Sequence, residues 1–203
     1  MEKIRLSEIK NLVEYEKVRN QFRTKIIQLK NDRRVKVGER ITLTFENRYT
    51  VVFQIEEMMR AERLVDEVKI QQEVDIYNEL IPGPNELSAT LFVEVDNPAD
   101  IKPVLDSLVG LNRNCLFLQL GERMIPAMFE EGHATESRIS AVQYVRFVLK
   151  DDDVREIANL NVPMRVIIRH RNYSANVAIA ENVRRAIYYD ITEGANANVW
   201  EWL

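Results

Sequence analysis

Cysteine occurs once in 203 residues, at Cys115, so the chain forms no internal disulfide framework and no multi-cysteine zinc or iron–sulfur site. Histidine occurs twice, at His133 and His170, which excludes a His-rich metal site within one chain. Six glycines and six prolines leave little material for a long linker. No apolar run approaches the roughly 20 residues of a membrane helix. The N-terminal "MEKIRLSEIK" lacks an apolar core, so no signal peptide is expected and a cytoplasmic location follows. Phosphate-loop, dinucleotide, zinc-protease and nucleophile-elbow signatures are missing too.

What is present is an ordinary soluble composition, with 46% hydrophobic and 30% charged residues. The net charge of −4 is uneven. Residues 1–40 hold 12 Lys/Arg against 6 Asp/Glu, whereas the remainder holds 16 against 26. A basic arm on an acidic body can fold back on that body or meet an acidic partner. Arg19, Arg23 and Lys30 flank the apolar stripe of the first helix and are the candidate docking residues there. Trp200 and Trp202, in the tail "ITEGANANVWEWL", are candidates for docking on a partner chain or for covering the body.

Hydrophobic periodicity gives the elements. Tyr15, Val18, Phe22, Ile26 and Leu29 recur every three or four residues, predicting one long helix that Ser7 caps. "RRVKVGERITLTFE" alternates and predicts one or two short strands, with a turn at Asn47-Arg48. From Thr50 to Asp66 the period is helical, with a break at residues 66–69. "IPGPN" (81–85) stops all helix and marks the best internal boundary. Beyond it the patterns read strand, helix, hairpin, strand, helix, strand, helix. Gly121 occupies the hairpin turn, and the strand "RISAVQYVRFVL" is central. The expected fold is α+β: N-terminal helices and a short β segment packed with a mostly antiparallel βαβββαβα layer. Residues 1–86 form the mainly helical region, 87–190 the sheet region and 191–203 the tail, in one compact unit.

One pattern conflicts with a simple core. Glu62 lies seven residues from Ile55, four from Met58 and three from Met59, and Asp66 follows one turn later. Lys69 and Glu73 continue the polar row, and Arg60 and Arg63 are nearby cations. A buried carboxylate needs a paired charge or a raised pKa. This cluster therefore reads as an interlayer salt-bridge network with Glu62 buried against an arginine, or as a ligand- or proton-handling site.

Other candidates have simpler explanations. Glu130, Glu131, His133 and Glu136 can ligate one ion, but Gly132 interrupts helical geometry and no second copy of the motif exists, so no metal or cofactor is expected. Asp151, Asp152 and Asp153 precede "VREIANL" and suit a helix start. Phe92 and Tyr144 near Arg146, Arg165 and Arg169 suggest an RNA-binding sheet, against which stand the missing glycines and the acidic body.

"RRVKVGERITLTFENRYTVVFQIEEMMRAERL", "IYNELIP" and "RISAVQYVRFVL" together resemble an uncharacterised bacterial domain-of-unknown-function family of about 190 residues, over roughly residues 3–190. Members of that family are typically encoded near rubrerythrin-like and iron–sulfur oxidoreductase proteins. The resemblance implies an accessory role in redox or peroxide defence and brings no catalytic residues. "RHRNYS" (169–174) departs from the commoner His-Pro form, which weakens any role for His170. The expectation is a non-enzymatic accessory or interaction protein with a protein partner and without nucleic acid or membrane, homo-oligomerisation being open. The alternatives are a ligand-binding protein or enzyme using the Glu62/Asp66 row, and an RNA-binding module.

Overall fold

The computed structural model describes residues 1–132, 138–194 and 198–202, apart from the Trp202 side chain. It is an α+β fold built from two antiparallel sheets and a helical layer.

The chain starts with an irregular segment and a short 3-10 turn at Leu6–Glu8, followed by α1 (Leu12–Asn31). The long first helix thus begins later than Ser7 suggests: Asn11 is the cap, and its side chain accepts the Glu14 N–H. The hairpin β1 (Arg34–Val37) and β2 (Ile41–Phe45) leads into α2 (Arg48–Glu62), which Asn47 and Thr50 close reciprocally. α3 (Glu67–Asn78), β3 (Glu86–Val93), α4 (Ile101–Ser107), β4 (Leu116–Leu120), β5 (Arg123–Pro126) and β6 (Met128–Phe129) follow. The chain continues as β7 (Val142–Val148), α5 (Asp151–Ala158), β8 (Met164–His170), β9 (Tyr173–Ala178) and α6 (Glu181–Thr192).

The first sheet has the order β1-β2-β3-β7-β6, and the second β5-β4-β8-β9. The expected α+β class and antiparallel pairing hold; the strands beyond the helical region divide between two sheets, and β9 is added to the expected order. β9 escapes a reading by periodicity because "YSANVA" carries few bulky apolar residues and lies at the edge of its sheet, half-buried. β1 and β2 pair through to β3, so the sheet crosses the "IPGPN" boundary. At one corner, β5 passes through Ala127 directly into β6 and so changes sheets. At the opposite corner β1 meets β9, where the Tyr173 hydroxyl donates to Val37 O at 2.6 Å. The two sheets therefore curl around one core. Leu43, Phe45, Leu91 and Phe147 from the first sheet pack with Leu118, Val166 and Ile168 from the second, and with Val183 and Ile187 of α6.

A second core lies on the other face of the first sheet. Tyr15 and Phe22 of α1, Val51, Val52, Ile55 and Met59 of α2, and Ile70 and Val74 of α3 form it, with Tyr144 of β7 packed against it. Two cores explain why every residue of "ITLTF" is buried. Alternation sends Ile41, Leu43 and Phe45 inward, and the two threonines toward the opposite face.

Polar side chains tie these layers together. Glu46 accepts from Thr90 at 2.6 Å and from Thr50, joining β2, β3 and α2. Arg184 of α6 donates to the carbonyls of Ile157, Glu156, Asn159 and Val162, satisfying the open end of α5. Asp153 is buried at the start of α5, where it accepts the Lys150 N–H at 2.7 Å and pairs with Arg123. The aspartate run is thus a helix start.

Candidate functional site

The carboxylate row expected around "MMRAERLVDE" does not exist as a buried cluster. Arg60, Glu62, Arg63, Asp66 and Lys69 are exposed and Glu73 is half-buried. The helical phase on which the row rests ends at Glu62. Arg63 turns into the left-handed region at φ 54°, and Asp66 is the cap of the next helix, its carboxylate accepting the Lys69 N–H at 3.1 Å. The break falls at residues 63–66, slightly before the expected position, so Glu62 and Asp66 share no helix face. Arg60 pairs with Glu16 of α1 at 2.5 Å, across an exposed surface.

The buried carboxylate of α2 is Glu56. It is 0% exposed. One oxygen accepts the Lys10 backbone N–H at 2.8 Å, and the other has no hydrogen-bond partner among the described residues. Burial pushes its carboxyl up to about 8; the neighbouring Glu57 and Glu14 carboxylates add to the rise, while the Lys10 N–H and charge oppose it. A signal for it is present in the sequence. Glu56 stands four residues after Val52 and three before Met59, on the same stripe as two buried residues.

The next residue, Glu57, belongs to a different network. The Arg19 guanidinium donates to both its oxygens, at 2.7 and 2.8 Å, and the Tyr15 hydroxyl donates at 2.7 Å. Arg19 and, less strongly, Tyr15 hold the Glu57 carboxyl below the usual range against the effect of burial. Part of the basic arm therefore lies against its own body. Lys30 sits over the Phe53 ring at 5.8 Å, and Arg23 is exposed.

Trp200 also folds back. Its ring centroid is 4.9 Å from that of Phe22, its indole N–H donates to Glu8 O at 2.7 Å, and Lys10 Nζ lies 4.6 Å from the ring centroid. The Trp202 side chain lies outside the described residues, as do His133 and Glu136. Among the described residues no group of three or more His, Cys, Asp or Glu is placed to hold a metal. His170 meets Val109 O at 3.1 Å. Tyr144, one half of the suggested RNA-stacking pair, is covered by the helical layer. Among the described residues, no helix is long and apolar enough to cross a membrane.

A concave surface near these features lies at the α2–α3 corner. Leu6, Ile9, Met59, Val65 and Ile70 give a groove of about 550 Å³ its apolar lining, and Ser7, Lys10, Asn11 and Glu67 its polar positions. Val65, one of the lining residues, is 78% exposed, so its side chain carries apolar surface outward from the groove; Val68, at the start of α3, is 69% exposed. A cleft of similar size, about 580 Å³, opens where α4 faces the β1–β2 and β8–β9 turns, with Glu39, Arg40, Asp100, Asn172 and Tyr173 among its walls.

No curated protein matches this chain in sequence. A crystal structure of a novel protein of unknown function from Burkholderia pseudomallei K96243 superposes with a TM-score of 0.86 at 29% identity, covering 94% of this chain and 100% of the other. That agreement places the same two-sheet and helical-layer arrangement in another protein. Residues 3–191 match the model of the family described as protein of unknown function (DUF3501), and the chain belongs to that family.

Proposed function

We propose that this protein is a non-enzymatic accessory protein that docks an apolar segment of a partner protein in the α2–α3 corner groove. The observation that supports this reading is the exposed side chain of Val65 in the groove wall, with exposed Val68 three residues along the chain. A concave apolar surface that runs out onto an exposed valine is suited to bury a partner's side chains. The exposed carboxylates of Glu62, Asp66 and Glu67 adjoin Met59 and Val65 in sequence. They favour a segment whose apolar residues are flanked by Lys or Arg. The family resemblance directs the first search for partners toward redox and peroxide-defence proteins.

The test uses the wild-type chain and a Val65→Asp/Val68→Asp variant. Native partners are captured on both, the captured protein is purified, and its binding is measured by calorimetry. The expected result is an affinity at least about tenfold weaker for the variant, the scale of losing a buried anchor. Its melting temperature should be unchanged, and partner binding should slow hydrogen exchange at residues 65–70 of the wild type. Equal affinity for both proteins, or protection confined to another face, would overturn the reading.

A further inference from the structure

Residues 4–11 lie across α2 and α3 as a strap held by separate polar ties. Ile4 exchanges two hydrogen bonds with the Asn78 side chain, at 2.8 and 2.9 Å. Glu8 pairs with the buried Arg48, and the Trp200 indole N–H donates to Glu8 O. The last tie is the Lys10 N–H to Glu56. Leu6, Ser7, Ile9, Lys10 and Asn11 of the strap make up one wall of the α2–α3 groove.

The Glu56 tie differs from the others in one respect. The Glu8 carboxylate meets a guanidinium, whereas among the described residues Glu56 has a single backbone N–H for one oxygen and nothing for the other. A neutral carboxyl tolerates that environment, and a carboxylate does not. Burial outweighs the groups around it: the Lys10 charge favours the carboxylate, and the Glu57 and Glu14 carboxylates oppose it. From α1 come Glu14 and Tyr15, from α2 comes Glu57, and from the strap comes Lys10, whose ammonium lies over the Trp200 ring. Glu57 is held below the usual carboxylate range by Arg19, and burial keeps the Tyr15 phenol far above its ordinary value. Neither changes charge between pH 6 and 8.

We propose that residues 4–11 are a proton-linked strap: neutral Glu56 seats the strap on α2, and ionisation of Glu56 releases it and with it one wall of the groove at the α2–α3 corner. The role of the strap as a gate for a partner rests on the docking reading above; its release by ionisation does not.

The linkage has a definite sign and window. Seated, Glu56 holds its proton up to about 8; released into water, it is an ordinary glutamic acid. Between those values only the seated form carries the proton, so opening becomes more favourable by up to about tenfold per pH unit. Above about 8 both forms are ionised and the dependence levels off.

The test is hydrogen exchange of residues 4–11 in the full chain from pH 6 to 9, without a partner, for wild type and Glu56→Gln. The ratio of the two at each pH cancels the intrinsic rise of exchange with pH. The wild-type excess should grow by up to about tenfold per unit between pH 6 and 8 and then level off. A second variant, Glu14→Gln, alters an exposed side chain and should move the levelling-off to lower pH. A pH-independent ratio, or one that changes equally in α6, would overturn the strap. Failure of the Val65→Asp/Val68→Asp experiment with this profile intact would remove only the partner.

Discussion

The Asp190 carboxylate of α6 takes two hydrogen bonds from the Arg33 guanidinium, at 2.7 and 2.9 Å, across 157 residues of chain. Both side chains are almost fully buried, and Asn47 Nδ2 adds contacts at 3.2 and 3.4 Å. The pair fastens the last helix to the start of β1 and to the cap of α2. Arg33 is itself fixed, with its Nη1 donating to Leu29 O and its carbonyl accepting the Phe45 N–H.

Asp190→Ala should therefore lower the stability of the chain by about 3–5 kcal/mol, since it leaves a buried guanidinium without its counter-charge. Asp190→Asn keeps one acceptor and should cost less. Equilibrium denaturation in urea at pH 7 checks both. If the alanine variant unfolds at the wild-type midpoint, α6 is held by its apolar face alone.

Glu56→Gln should stabilise the chain, and the gain should grow with pH. The folded state holds the Glu56 proton up to about 8, well above the ordinary value of 4.5. Wild-type stability is thus lost progressively as pH rises through that window, and no further loss follows above it. Glutamine can keep the Lys10 N–H bond through its amide oxygen and carries no charge, so it escapes the loss. Each pH unit between the ordinary and the folded value is worth about 1.4 kcal/mol, so the gain at pH 8 reaches a few kcal/mol at most. Glu62→Ala, by contrast, alters an exposed side chain and should stay within about 0.5 kcal/mol of wild type. Melting curves at pH 5, 6.5 and 8 separate the two; a constant offset for Glu56→Gln would contradict the linkage.

Gly38→Ala should destabilise the corner where β1 meets β9. Gly38 has φ +78°, and an added Cβ would lie 2.5 Å from the Tyr173 hydroxyl and 3.3 Å from the Ala175 Cβ. The left-handed backbone alone costs a side-chain residue about 1–2 kcal/mol. Displacing Tyr173 would also break its bond to Val37 O and the one it accepts from Arg40 N. The expected total is about 2–4 kcal/mol. In a Tyr173→Phe background the clash with the hydroxyl disappears, and the same glycine change should cost less. Equal costs in the two backgrounds would place the strain in the backbone alone.

Most elements are legible in the sequence because local patterning specifies them. The stripe from Tyr15 to Leu29 marks α1, "RRVKVGERITLTFE" marks the first hairpin, and the aspartates before "VREIANL" mark the start of α5. β9 is not legible because "YSANVA" lies at a sheet edge, where alternation buries little apolar surface. The apolar pattern places a buried carboxylate on the right helix and at the wrong residue. Glu62 and Glu56 both lie on apolar stripes of α2, and the spacing does not reveal that the helix ends at Glu62 while the strap covers Glu56.

The sequence by itself therefore determined most helices and strands, β9 excepted, together with the α+β class and the family, since these depend on spacing between near neighbours. Tertiary structure alone decided that the strands divide into two sheets and that the N-terminal segment straps α2. It also decided that Arg33 finds Asp190, and that Glu56 is the carboxylate taken out of water. The reason is physical: burial and pairing of a charge depend on groups brought together from distant parts of the chain, and a local pattern holds no record of them.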